Sequence, residues 1–133
     1  MGEVSGRCAC GVVRYVCDGP ILWAGHCHCE SCRRASSAPV VSFLGVRRDC
    51  LEWAGQMVDV LTSGGSVRRQ FCAVCKSIMT YQNEIWPDET HLFAATLDDP
   101  AQFEPQAHYH WAERVSWFLC EDNLPKHPAS ADG

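Results

Sequence analysis

His26-Cys27-His28-Cys29-Glu30-Ser31-Cys32 places three cysteines within six residues. Their thiolates, brought to one point, repel each other unless a cation sits among them. Zinc suits such a set, because it takes soft sulfur ligands and has no redox chemistry of its own. Cys27 and Cys29 stand two apart, so on an extended strand they face the same way. Cys32 comes round three residues later, in the first turn of a short helix expected over Glu30 to Ala35. Three local ligands with no obvious fourth match a catalytic zinc, which keeps a corner for water or substrate. The competing reading is a second structural zinc, closed by a remote ligand from among Cys17, Cys50, Cys120, His26 and His108.

Working outward, Cys8 and Cys10 lie in Gly6-Arg-Cys-Ala-Cys-Gly11, and Cys72 and Cys75 in Phe71-Cys-Ala-Val-Cys75. Together they make C-x-C and C-x-x-C, a four-sulfur set. A zinc held by four thiolates is coordinatively full and acts structurally. Here it would staple the start of the chain to its middle, closing a long loop.

Ten cysteines in 133 residues also invite a disulfide reading. Seven of them fall into metal-like spacings, and close C-x-C pairs make poor disulfide partners. The first residues carry no signal-peptide pattern, and no apolar run approaches the ~20 residues of a membrane span. The expectation is a reduced, cytoplasmic metalloprotein with no membrane association. Formal net charge is −5, and zinc thiolate centres add to it. That argues against a nucleic-acid partner, which calls for a basic footprint.

The rest of the chain reads as short strands separated by Gly, Pro and Asp clusters. They are expected at Val12–Val16, Ile21–Ala24, Val40–Leu44, Val58–Leu61, Val67–Phe71, Ile78–Gln82, Leu92–Thr96, His108–Trp111 and Ser116–Cys120. A second helical turn is expected at Asp99–Phe103, where an aspartate cap precedes proline. The fold class is therefore mainly β, a single domain over 1–127 with one or two short helices. Residues 128–133 read as a flexible C-terminal tail.

Three thiolates donate charge to their metal, so the Cys27, Cys29, Cys32 centre should activate water weakly. It is better suited to holding a thiol as thiolate, or to polarising a carbonyl. Arg33 and Arg34 follow at once. They could offset thiolate charge or grip a substrate carboxylate, as arginine does with its fork, or simply be a solvated helix face.

The runs GRCACGVVRY, CHCESCRRASSAP, FCAVC, LDDP, AHYHWAERVSW and EDNLPKH together resemble the glutathione-dependent formaldehyde-activating family, which includes the centromere protein V group. The resemblance covers Gly6 to about His127 and implies a zinc-stapled β-tent. It implies two Zn2+ per chain: a structural ion on Cys8, Cys10, Cys72 and Cys75, and a catalytic ion on Cys27, Cys29 and Cys32. His108 matches a late-strand histidine of the family. The implied activity is a carbon–sulfur lyase joining glutathione, as co-substrate, to formaldehyde or a related small carbonyl. Partners would then be small-molecule thiols and carbonyls, with a homodimer left open. A zinc-assisted hydrolase or dehalogenase, or a non-enzymatic zinc module, are the alternatives. Lys76 and Ser36-Ser37 depart from the family pattern, which favours glycine after the C-x-x-C and threonine-glycine after the cluster. Ser116 departs from it too, standing where proline is common.

Overall fold

The computed structural model describes residues 3–131. Ten strands run in chain order: β1 (Val4–Arg7), β2 (Arg14–Cys17), β3 (Trp23–Cys27), β4 (Val41–Arg47), β5 (Leu51–Ala54), β6 (Met57–Thr62), β7 (Val67–Cys72), β8 (Ile78–Asn83), β9 (Glu89–Phe93) and β10 (His108–Tyr109). They form a three-stranded sheet, β1-β2-β5, and a seven-stranded sheet, β10-β3-β4-β9-β8-β7-β6. All pairings are antiparallel except β10 against β3. A single α-helix, α1 (Glu30–Ser36), follows β3. Among the described residues no helix is long and apolar enough to cross a membrane.

The core lies between the two sheets. β2 alternates cleanly, with Tyr15 and Cys17 buried and Arg14 and Val16 outside, as expected of a strand with one wet face. Strand β4 is instead buried on both faces. Leu44 and Val46 point into the inter-sheet core with Val4, Val13, Met79 and Leu92. Val41 and Phe43 point the other way, into a second apolar cluster that holds Cys27 and Cys32. A bulge where β8 passes β7 pairs Gln70 with Thr80 but Phe71 with Ile78, leaving Met79 as the extra residue. Ile78 and Tyr81 thereby serve the cysteine-bearing cluster while Met79 serves the core.

The mainly β expectation holds, with differences in detail. β1 and β5 lie outside the expected runs, because Val-Ser-Gly-Arg and Leu-Glu-Trp-Ala are too short to show periodicity. The run expected as a strand at Ser116–Cys120 pairs with nothing among the described residues, and Trp117 is 72% exposed there. The strand expected at Leu92–Thr96 ends at Phe93 and tightens into a 3-10 turn, Ala94–Thr96. The Asp99 cap holds: its carboxylate accepts from Ala101 N–H at 3.1 Å, and the turn at Pro100–Gln102 is 3-10. Residues 132 and 133 of the expected tail lie outside the described residues. Before them, the Pro128 and Ala129 carbonyls accept from Ala112 and His110 N–H.

Two of the family departures fall on left-handed backbone. Ser37, the C-cap of α1, has φ 53°, and Lys76 has φ 66°. A Cβ costs roughly 1–2 kcal/mol in this region. Lys76 recovers part of that through a bond from its ammonium to the Ala73 carbonyl. Lys76→Gly is expected to stabilise the domain by about 0.5–1 kcal/mol, a melting-point rise of about 1–4 °C. Differential scanning calorimetry of the two proteins checks this, and an unchanged or lower midpoint would contradict it.

Candidate metal centres and the adjoining cavity

The four sulfurs of Cys8, Cys10, Cys72 and Cys75 lie within 4.8 Å of one another. Cys8 and Cys10 Sγ are 3.6 Å apart, and Cys10 and Cys72 Sγ 3.8 Å. A tetrahedron with zinc–sulfur bonds of about 2.3 Å has edges of about 3.8 Å, so the spacing fits the ion. The backbone fits it too. Val13 N–H donates to Cys8 Sγ at 3.3 Å, and Val74 and Cys75 N–H donate to Cys72 Sγ at 3.3 and 3.4 Å. Such bonds satisfy thiolates rather than thiols. Hydrogen bonding with Ser77 Oγ holds Cys75 down at about 5.

The other trio is built by the strand end and the helix start. Cys27 closes β3, while Cys29 is the N-cap of α1, accepting from Cys32 N–H at 3.3 Å. Cys32 is buried within the helix. The three sulfurs lie within 4.8 Å of one another. They do not ionise independently. Hydrogen bonds from Cys27 and Cys32 hold Cys29 at about 2, and the same bond with Cys29 pushes Cys27 far upward. The bond with Cys27 lowers Cys32 most, but Cys29 and burial together outweigh it and push Cys32 up to about 11. Three simultaneous thiolates therefore need a cation, and a soft divalent ion matches this donor set.

None of the remote candidates joins that trio among the described residues. His26 Nδ1 bonds Ser42 Oγ at 2.9 Å. Cys17 is buried in the core, and Cys50 Sγ donates to Asp49. His108 belongs to a separate chain that sequence reasoning missed. His28 Nε2 and His108 Nδ1 share a hydrogen bond, and His108 Nε2 donates to Asp122, each at 2.8 Å. Cys120 sits beside the same two imidazoles. That bond holds Asp122 at about 2, and burial holds His28 at about 4, so the chain carries one carboxylate and a neutral His28. No local motif signals this pairing, because it joins residues 80 apart in sequence.

Cys27, Cys29 and Cys32 line one wall of a cavity of about 260 Å³. Aromatic rings make most of the remainder, among them Trp23, Phe43, Tyr81, Trp86 and Tyr109. Two rings are seated over glycines. A Cβ at Gly45 would meet Trp23 Nε1 at 2.1 Å, and one at Gly25 would meet Tyr109 at 2.4 Å. Glu89 and His91, on β9, line the cavity as well.

Neither Arg33 nor Arg34 reaches this cavity. Arg33 spends its guanidinium on the backbone carbonyls of His28 and Glu113, both at 3.2 Å. Arg34 pairs with Glu30 at 2.8 Å on the solvent side of α1. The cation beside the cluster is Arg69, on β7 and buried at 4% exposure. Its Nη2 donates to Ser31 Oγ at 3.1 Å and to Cys32 Sγ at 3.7 Å, and its guanidinium lies over the Tyr81 ring. Its Nε is buried without a partner among the described residues. A charge buried on such terms needs nearby negative charge. Arg69→Met is therefore expected to weaken metal binding at the three-sulfur cluster about 10–100-fold while sparing the four-sulfur one. Competition with a chromophoric chelator checks this. Equal loss from both clusters would contradict it.

The sequence model of a family described as "Glutathione-dependent formaldehyde-activating enzyme" matches residues 3–113. A protein of Halomonas elongata that carries this same description as a provisional name is 26% identical over 131 residues, covering 89% of this chain and 81% of that one. The crystal structure of a Rhodobacter sphaeroides protein superposes with a TM-score of 0.61 at 22% identity, covering 74% of this chain and 93% of the other. The second likeness concerns the fold.

Proposed function

The chain belongs to the glutathione-dependent formaldehyde-activating enzyme family, and we propose that it is a zinc-dependent carbon–sulfur lyase, joining a thiol to a small carbonyl carbon and releasing it in reverse. The observation that carries this reading is the Cys27, Cys29, Cys32 trio, which opens onto an aromatic cavity and has no fourth protein ligand among the described residues. A zinc ion on these sulfurs would supply the positive charge that holds a thiol as thiolate or polarises a carbonyl oxygen. The chain's own residues do the rest. β3 and the cap of α1 fix the three sulfurs, and Arg69 offsets their charge. The ring-lined wall offers the thiol and the carbonyl a largely apolar surround.

Cys8, Cys10, Cys72 and Cys75 would hold a second, structural zinc. A reducing cytoplasm suits both sets, and none of the ten cysteines is in a disulfide. Glutathione is the first thiol to test. Among the described residues no arginine or lysine lines the cavity, so the carboxylates of glutathione would stay outside while the thiol enters. The volume agrees, since drug-sized ligands occupy cavities of roughly 300 Å³ and more.

Thiols add to formaldehyde unaided, so the assay is exchange between free and adduct forms, followed by magnetisation transfer with and without protein. Acceleration supports the lyase. Equal rates across a range of thiols would end this reading. Turnover of a halide or ester in the absence of thiol would favour the hydrolase or dehalogenase instead.

A further inference from the structure

The thiol and the carbonyl oxygen must exchange a proton, and the three cysteines offer no base once they hold a metal. The wall that bears Glu89 and His91 does. His91 sits at the middle of β9, opposite Gly45 of β4 and Tyr81 of β8. Its ring is packed against Trp23 at 4.8 Å, Trp86 at 5.3 Å and Tyr81 at 5.5 Å between centroids. This clamp fixes the plane of the imidazole. Glu89, two residues earlier on the same strand face, fixes the tautomer. Its Oε1 lies 3.1 Å from His91 Nε2 and also accepts from Trp23 Nε1 at 3.2 Å. A carboxylate accepts only, so Nε2 carries the proton and Nδ1 keeps its lone pair. Among the described residues Nδ1 has no hydrogen-bond partner, and it is not among the buried unpartnered atoms. It is therefore the free end of the ring, on a side chain that lines the same cavity as the sulfurs.

We infer that His91 is the proton-transfer group of this cavity and that Glu89 is its positioning residue. The inference rests on the thiol-addition reading above. In the forward direction His91 Nδ1 takes the proton from the thiol. The sulfur lone pair then forms the carbon–sulfur bond, the carbonyl π pair moves to oxygen, and the imidazolium returns the proton to that oxygen. Proton and electrons balance without a further reactant. The reverse sequence cleaves the adduct.

The ring is ready to accept a proton at neutral pH. Burial lowers its pKa, Glu89 raises it, and Arg48 lowers it again, with a net downward result. The other titratable groups facing the ring or its cavity are Tyr81, Tyr109, His110 and the three cysteines. None of them bonds His91. A carboxylate that orients an imidazole while its far nitrogen faces the reactant is the arrangement general bases use.

The test uses the zinc-loaded protein and the exchange assay, with glutathione and formaldehyde as probes over a range of pH. His91→Gln retains an amide that can donate to Glu89 but has no basic nitrogen. It is expected to lower kcat about 100-fold or more, with KM and zinc content little changed, and to abolish the rise of rate with pH seen in the unaltered protein. Glu89→Gln removes the interactions that raise the His91 pKa. It should move that rise to lower pH and reduce the plateau. If His91→Gln retains both the rate and the pH dependence, this inference is overturned and the lyase reading stands. If the unaltered protein shows no acceleration, both fall. Nitrogen-15 spectra of the unaltered protein decide the point even if a variant fails to fold. A proton found on Nδ1 rather than Nε2 at neutral pH overturns the assignment.

Discussion

Cys75→Ala is expected to leave the protein with at most one metal per chain and a markedly less stable fold. Structural zinc contributes about 10–16 kcal/mol to the folding of small zinc peptides, so one ligand in four is worth roughly 3–4 kcal/mol. A domain of this kind has about 5–15 kcal/mol of stability in all. The melting midpoint should therefore fall by about 10 °C or more. The position of the cluster explains the size of the effect. Cys8 and Cys72 are both buried in the inter-sheet core, and Cys75 packs against it. They tie the end of β1 to the turn after β7, across a sequence separation of 62 between Cys10 and Cys72. Without the metal, those ends must be held by apolar contacts alone while thiolates sit in the core. Thermal unfolding with metal analysis checks the prediction. A midpoint within a few degrees of the unaltered protein would show that this cluster does not support the fold.

Cys29→Ser should do the opposite: abolish activity and spare the fold. Serine is among the best N-cap residues, so the bond from Cys32 N–H that starts α1 survives. What is lost is a soft ligand, and the one whose thiolate the neighbouring sulfurs most favour. We expect zinc to fall from two per chain to one. Acceleration of adduct exchange should drop to background, and the midpoint should stay within about 3 °C. Plasma emission spectroscopy, the exchange assay and calorimetry on one preparation decide it. Unfolding as severe as that of Cys75→Ala would show that the two clusters do not divide structural from chemical work.

Much of this site is legible in one dimension because its ligands are local. Cys27, Cys29 and Cys32 come from a strand end and a single helical turn, so their convergence follows from spacing. The same holds within Cys8/Cys10 and within Cys72/Cys75. Joining those two pairs is a tertiary fact, and so is the cation at the other cluster. Arg33 and Arg34 are adjacent in sequence, yet the turn of α1 aims them at backbone carbonyls and at Glu30. Arg69 arrives from a strand some forty residues away because β7 brings its guanidinium within reach of Ser31 at the helix start. The strands read from composition were mostly real, but Ser116–Cys120 shows the limit. An apolar run becomes a strand only if another strand offers it a ladder, and none among the described residues does.

Sequence by itself determined the family, the mainly β architecture and the two sets of sulfurs, since covalent neighbourhood constrains where close cysteines can point. The three-dimensional packing alone decided what faces them: an aromatic cavity, a buried Arg69, and an imidazole locked by Glu89. Those groups lie on β3, β4, β7, β8, β9 and β10 and on the turn between β8 and β9. Their meeting depends on sheet order, register and one bulge, which are settled by the burial of all the strands together and not by any segment alone.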